Sequence, residues 1–221
     1  MGAADVVPGV SGGTIAFITN IYETLIHALS QFDSRAIQLL LKGQFKDFWT
    51  HINGTFLAVL FAGIFTSVLS LAALLSHALE THPIQLWSFF FGLVFASIFI
   101  VGKQVSRWQW FTYLSFAVGT VIAFWITTLP ASAGSDTYPY LILCGALAIC
   151  AMILPGISGS FILLLLGAYA TVLEAIADRT LGIIAAVGIG AVVGLLSFTK
   201  LLKWVFSKYH DLTVALLSGF L

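Results

Sequence analysis

The amino-acid sequence points to an all-α, polytopic membrane protein with an inverted-topology repeat. Its composition, four long apolar runs and a duplicated Pro-Gly-Ser break lead there. Of 221 residues, 60% are hydrophobic and 8% charged, against roughly 25% charged in a typical soluble domain. Nine Lys and Arg with nine Asp and Glu cannot coat a globule of this size. The chain is therefore expected to be solvated by lipid. A net charge of zero without a basic stripe excludes a nucleic-acid binder, and the high apolar content excludes a disordered chain. Cys144 and Cys150 stand in an apolar run and read as packing residues.

A helix needs about 20 mostly apolar residues to cross a bilayer core. Four runs qualify, at 54–79, 84–102, 111–129 and 181–198, the first without any Asp, Glu, Lys or Arg in 26 positions. Two other apolar stretches, 3–29 and 140–177, are interrupted by Pro8-Gly9-Val10-Ser11-Gly12-Gly13 and Pro155-Gly156-Ile157-Ser158-Gly159-Ser160. Pro removes an amide donor and clashes with the preceding turn. Gly adopts conformations that other residues avoid. Each stretch should therefore break into two helices. The last apolar run, 212–221, is too short to span. Met1 leads straight into Gly-Ala-Ala-Asp, unlike a secretory signal peptide.

Lys and Arg favour the cytoplasmic side. Arg35, Lys42 and Lys46, then Lys103 and Arg107, then Lys200, Lys203 and Lys208 make up eight of the nine basic residues. Placing them inside puts 80–83, 130–138 and 178–180 outside. Segment 140–177 then begins and ends outside, and its midpoint carries no charge. It is either two full spans or a re-entrant hairpin with its tip inside the membrane, and the uncharged midpoint favours the hairpin. Such backbone is tolerated only when buried in protein or lining a wet cavity.

The two breaks are copies. At a shift of 147, Pro8, Gly9, Ser11, Gly12, Ile15 and Tyr22 match Pro155, Gly156, Ser158, Gly159, Ile162 and Tyr169, six identities over 15 positions. Three spans lie between the hairpins, and an odd number inverts the second copy. Residues 1–221 thus read as one membrane domain. A first repeat, 1–138, has a hairpin and three spans. A second, inverted repeat, 139–221, has a hairpin and at least one span. Many secondary transporters share this architecture.

Residues 15–29 and 161–177 are predicted as helices starting just after the tips. A helix N-terminus offers unpaired N–H groups and partial positive charge, a ready anion site. Ser11, Gly12, Gly13 and Thr14 from one copy, with Ser158, Gly159 and Ser160 from the other, are expected to hold one anionic head group. Pro8, Gly9, Pro155 and Gly156 make the breaks. The competing reading is that Gly and Ser only permit close helix packing. Asp5 and Glu23, supported by Tyr22 and Tyr169, are candidates for proton or cation coupling; an interfacial carboxylate is the plainer reading of Glu23. Lys103, Arg107 and Arg179 are candidates for lipid head-group capture, although topology and an aromatic belt account for the first two. Residues 38–49 read as an interfacial amphipathic segment. The five His residues show no ligand spacing and no GxxxxGK[ST] occurs, so no metal, cofactor or ATP motor is expected.

The stretch from Gly2 to Thr14, followed by Ile21-Tyr22-Glu23, resembles the opening signature of the polyprenyl-phosphate (undecaprenyl-phosphate) translocase family, formerly a family of unknown function. Leu154 to Ser160, with Gly167-Ala168-Tyr169, resembles its second signature. The resemblance implies transport of undecaprenyl phosphate, a lipid carrier, from the outer to the inner leaflet of the cytoplasmic membrane for reuse in cell-wall polymer synthesis. It also implies a trimmed member, because relatives usually continue before Gly2 and after Leu221. The expected partners are polyprenyl phosphate and membrane lipids, with a homo-oligomer left open. Two rival functions are a small-anion or solute transporter and a lipid-pyrophosphate phosphatase. A phosphatase would want a nucleophile or base beside a cation. Neither break has an Arg, His or carboxylate pair nearby in sequence, so no catalytic residue is assigned.

Overall fold

A computed structural model describes residues 1–5 and 11–221. Among the described residues the chain forms twelve helices and no strand: α1 (Gly2–Asp5), α2 (Gly12–Ile18), α3 (Tyr22–Ser30), α4 (Ser34–Leu41), α5 (Phe45–His51), α6 (Gly54–Thr81), α7 (Pro83–Gly102), α8 (Trp110–Thr128), α9 (Tyr138–Ile153), α10 (Gly159–Leu165), α11 (Tyr169–Ala177) and α12 (Leu181–Phe220). The four predicted spans correspond to α6, α7, α8 and α12, all long and apolar enough to cross a membrane. Their outer faces expose Phe61, Phe65, Phe91, Phe95, Phe124 and Trp125. Exposed apolar side chains in this number belong in lipid.

Helix α12 runs past the predicted end at 198, through Lys200, Lys203 and Lys208, to a kink at Tyr209 (φ −136°, ψ 48°). No Gly or Pro occurs between Thr199 and Lys208, so nothing in that stretch stops the helix. Beyond the kink the chain runs beside α8, where Ser115 Oγ donates to the Leu212 carbonyl at 2.7 Å. The amphipathic stretch 38–49 falls in α4 and α5, separated at Gly43 (φ 70°). Ile37, Leu41, Phe45 and Trp49 are exposed there.

The predicted single helices 15–29 and 161–177 are each two helices. Both carry an elbow, and α10 and α11 are bent by 111°. Asn20 (φ 59°) and Gly167 (φ 67°) adopt left-handed backbone at equivalent positions, which ends a helix. At the shift of 147, α2 matches α10 and α3 matches α11 residue for residue. The sequence repeat is thus a repeat of local structure.

Each elbow is clasped by a different loop. Gln104 Nε2, ahead of α8, donates to Asn20 Oδ1 at 2.6 Å and to the Phe17 carbonyl at 3.3 Å. After α8, the Ser132 amide donates to the Leu165 carbonyl at 2.7 Å, and Gly134 stands against the Gly167 backbone. Helix α10 runs back along α9. Its start faces Ala148 and Met152, and Tyr140 Oη donates to the Leu166 carbonyl at 2.6 Å near its end. The main core surrounds the first hairpin, with Phe17, Tyr22 and Ile26 meeting Leu57, Val101, Leu202, Phe206 and Leu217.

Helix α9 meets α12 along a seam of small residues. Gly145 faces the Val187 backbone, and Gly190 and Gly194 face the Ile142 and Ala146 carbonyls. Close backbone approach of this kind replaces the missing hydrophobic driving force between helices in lipid. A Cβ on Gly190 would collide with the Ile142 carbonyl oxygen, whereas one on Gly188 meets nothing within 4 Å. Thermal melting in detergent should therefore separate the two substitutions. Gly190→Ala should lose about 1–3 kcal/mol, and Gly188→Ala should match or exceed the parent.

The kink is tied to the first hairpin. His210 lies 2.9 Å from Glu23 Oε1 through Nε2 and 3.2 Å from Asp211 Oδ1 through Nδ1. Asp211 also accepts the Ser106 and Arg107 amides at 3.2 and 3.3 Å. Ionised carboxylates only accept, so this geometry favours the imidazolium, in which both ring nitrogens donate. Burial lowers the His210 pKa, but the Asp211 and Glu23 carboxylates outweigh it and hold the group above its ordinary value. A raised folded pKa stabilises the fold fully below about pH 6.5 and ceases to do so as pH rises through the folded value. The melting advantage of the parent over His210→Gln should be present at pH 6 and shrink by pH 9. An advantage independent of pH would contradict the charged clasp.

Candidate functional site

The two breaks meet. Ser11 caps α2 by accepting the Gly13 amide at 3.1 Å, and its hydroxyl donates across to the Leu154 carbonyl at 3.3 Å. Thr14 Oγ1 accepts the Gly156 amide at 3.1 Å. A Cβ on Gly13 would stand 2.7 Å from the Ile153 carbonyl oxygen, so the glycine permits the approach. Gly156 (φ 84°) both turns the second break and faces the Phe220 carbonyl, leaving no room for a side chain. These contacts satisfy backbone groups that neither break supplies through a helix ladder.

Beside this junction lies a cavity of about 310 Å³, within the usual range for a ligand site. Ser11, Ser158, Gly159 and Ser160 line it, with Gly145, Ala148, Met152, Ile157 and Leu163. Its described lining holds three serine hydroxyls and no ionisable side chain. Ser158 and Ser160 hydroxyls bond each other at 2.7 Å. One O–H joins them, and the other is left to donate to a guest. The lining offers hydrogen bonds to an anion.

The equivalent serines differ in environment. Ser11 is buried and engaged at both ends, whereas Ser158 is half-buried, makes no side-chain cap to α10 and faces the cavity. Gly12, Gly13 and Thr14 are buried behind Ser11. Pro155 is fully buried. Pro8 and Gly9 lie outside the described residues, and Asp5 closes α1.

The other sequence candidates lie away from this cavity. Tyr22 is buried in the core, its hydroxyl without a hydrogen-bond partner among the described residues, while Tyr169 is part-exposed. Glu23 is exposed and bound to His210. Arg179 is exposed after α11, and Lys103 and Arg107 are exposed ahead of α8. Sequence reasoning missed Gln104, Asn20, His210 and Asp211. One signal was available for Asn20: the repeat aligns it with Gly167, and Asn and Gly best tolerate left-handed backbone.

Residues 1–221 match the family described as undecaprenyl phosphate translocase-like. A polyprenyl-phosphate transporter of Vibrio cholerae is 48% identical over 219 residues, covering 99% of this chain and 71% of that protein. A polyprenyl-phosphate transporter of Staphylococcus aureus is 32% identical over 240 residues, covering 100% of this chain and 80% of that protein. No solved structure matches. The duplicated breaks thus sit in a chain that matches one family from end to end, and the chain belongs to the undecaprenyl phosphate translocase-like family.

Proposed function

We propose that this chain carries a polyprenyl monophosphate, undecaprenyl phosphate by family, from the outer to the inner leaflet of the cytoplasmic membrane for reuse in cell-wall polymer synthesis. It does so as a transporter, without chemical change to the lipid. The observation that carries this reading is the meeting of two copied breaks around one hydroxyl-lined cavity. An anionic head group crossing hydrocarbon is costly unless polar groups replace its water. Ser158 and Ser160 supply such groups on one wall, with the Gly159 backbone beside them. Ser11 faces them from the first copy, with Gly12, Gly13 and Thr14 buried behind it, and the prenyl tail stays in the surrounding lipid.

Geometry supports the inverted, re-entrant arrangement. The two elbows are clasped by loops at opposite ends of α8, whose 19 residues measure about 28 Å. From each elbow a seven-residue helix reaches about 10 Å toward its tip. Tips that meet after such approaches from opposite ends meet near mid-depth. Helix α9, with 16 residues, is about 24 Å long, short of a full crossing. Repeats at 1–138 and 139–221 belong to the same reading. Glu23, held by His210, and Asp5 are the carboxylates proposed for ion coupling.

Uptake of a short-chain polyprenyl phosphate by proteoliposomes, with its binding to purified protein, tests the proposal. Removing a hydrogen bond to a charged group costs about 1.5–3 kcal/mol, about 10- to 150-fold in affinity. The Ser158→Ala/Ser160→Ala variant should lose at least that factor while melting like the parent. Ser11→Ala should also lower the melting temperature, because it unties the junction. Parental binding and uptake in the double variant would sink the site.

A further inference from the structure

A second cavity, of about 540 Å³, lies at the basic end of α7 and α8, apart from the junction of the breaks. Ile98, Phe99, Val105 and Phe116 give it apolar walls, while Lys103, Trp108 and Tyr113 are its larger polar-tipped lining residues. The walls are held in place. Trp108 Nε1 donates to the Gly102 carbonyl at 3.1 Å, and the Trp108 and Tyr113 rings lie 5.0 Å apart. Asp211 pins the loop between Lys103 and Trp108 through the Ser106 and Arg107 amides. Ser218, from the segment after the kink, is also in the lining and donates to the Ile98 carbonyl at 3.5 Å.

We infer that this cavity is a second lipid-phosphate site, on the inner leaflet, with Lys103 binding the phosphate and the apolar walls taking the first part of the tail. The inference rests on the reading of the chain as a lipid-phosphate transporter and extends it with a release site. Charge complementarity selects the occupant. Lys103 is the one charged residue in the described lining, so a monophosphate on an apolar chain matches both features. A zwitterionic lipid would bring a second cation against Lys103, and a free phosphate would leave the apolar walls unfilled. Trp and Tyr at this position suit the interface between head groups and hydrocarbon. The plainer role of Lys103, favourable charge at the C-terminus of α7, would not make lipid binding depend on it.

Photolabelling tests the site. Purified chain in nanodiscs of phosphatidylcholine would be irradiated with farnesyl phosphate carrying a benzophenone tip, and the adducts mapped. Adducts are expected within 98–116 and, at the junction, within 152–163. Lys103→Gln should reduce the 98–116 adducts at least about tenfold, leave those at 152–163 unchanged, and melt like the parent. Lys103→Arg should retain both sets. Tagged farnesol should label 98–116 at least tenfold less, and excess inorganic phosphate should not displace the probe. Equal 98–116 labelling in Lys103→Gln, equal labelling by farnesol, or displacement by inorganic phosphate would overturn the inference. Labelling confined to 152–163 would overturn it while leaving the proposed function standing. Absence of labelling at both places would overturn both.

Discussion

Backbone that leaves a helix inside lipid must find its hydrogen bonds in protein, and in the proposed re-entrant arrangement the junction of the two breaks answers that demand. Thr14 accepts the Gly156 amide, and Ser11 donates to the Leu154 carbonyl. Each break thus supplies what the other lacks. The architecture serves this meeting. The elbows shorten α2 and α10 to seven residues, the loops flanking α8 hold those elbows, and the glycine seam draws α9 against α12. With the junction lost, either break would expose polar groups to hydrocarbon at about 1–3 kcal/mol each by mutational measures.

The two copies share a fold but divide the work. Of the first break, Ser11, Gly12 and Gly13 are described and buried, and the helices that follow pack into the main core through Phe17 and Tyr22 beside Phe206. The second sits at the rim of a cavity, its hydroxyls turned to each other and to open space. In the proposed site, one side is therefore fixed by packing, and the other keeps polar groups for a guest. A rigid wall lowers the ordering cost of binding. The His210 clasp on Glu23 places a charge-dependent tie on the fixed copy, at the end where the basic loops gather.

Much of this was legible in the residues. Uncharged runs of span length predicted α6, α7 and α8 almost to their ends, because composition alone decides which segments lipid accepts. Pro155 and Gly156 placed the second break correctly. The elbows were not read, because Asn20 and the Gly167-Ala168 pair are mild interruptions in apolar sequence. Only their alignment through the repeat reveals a shared left-handed turn. The segment after Tyr209 looked too short to matter as a span, yet it lies along α8 with its end against Gly156. Tertiary packing, which local hydropathy does not report, gives it that place. Ser11 and Ser158 looked equivalent, and burial separates them. The Glu23–His210 pair joins residues 187 positions apart, beyond any local pattern.

We propose that the two breaks meet at mid-depth in the membrane, and a head-group path past them requires that water reach the cavity beside them. Met152 lines that cavity and is 48% exposed, so a nitroxide at Met152→Cys would report from it with little disturbance. Power saturation in reconstituted bilayers would give its depth and its access to oxygen and to a water-soluble nickel complex. The account predicts a label near the bilayer centre that the nickel complex still reaches. A label at head-group depth, or one at the centre reached by oxygen alone, would contradict it.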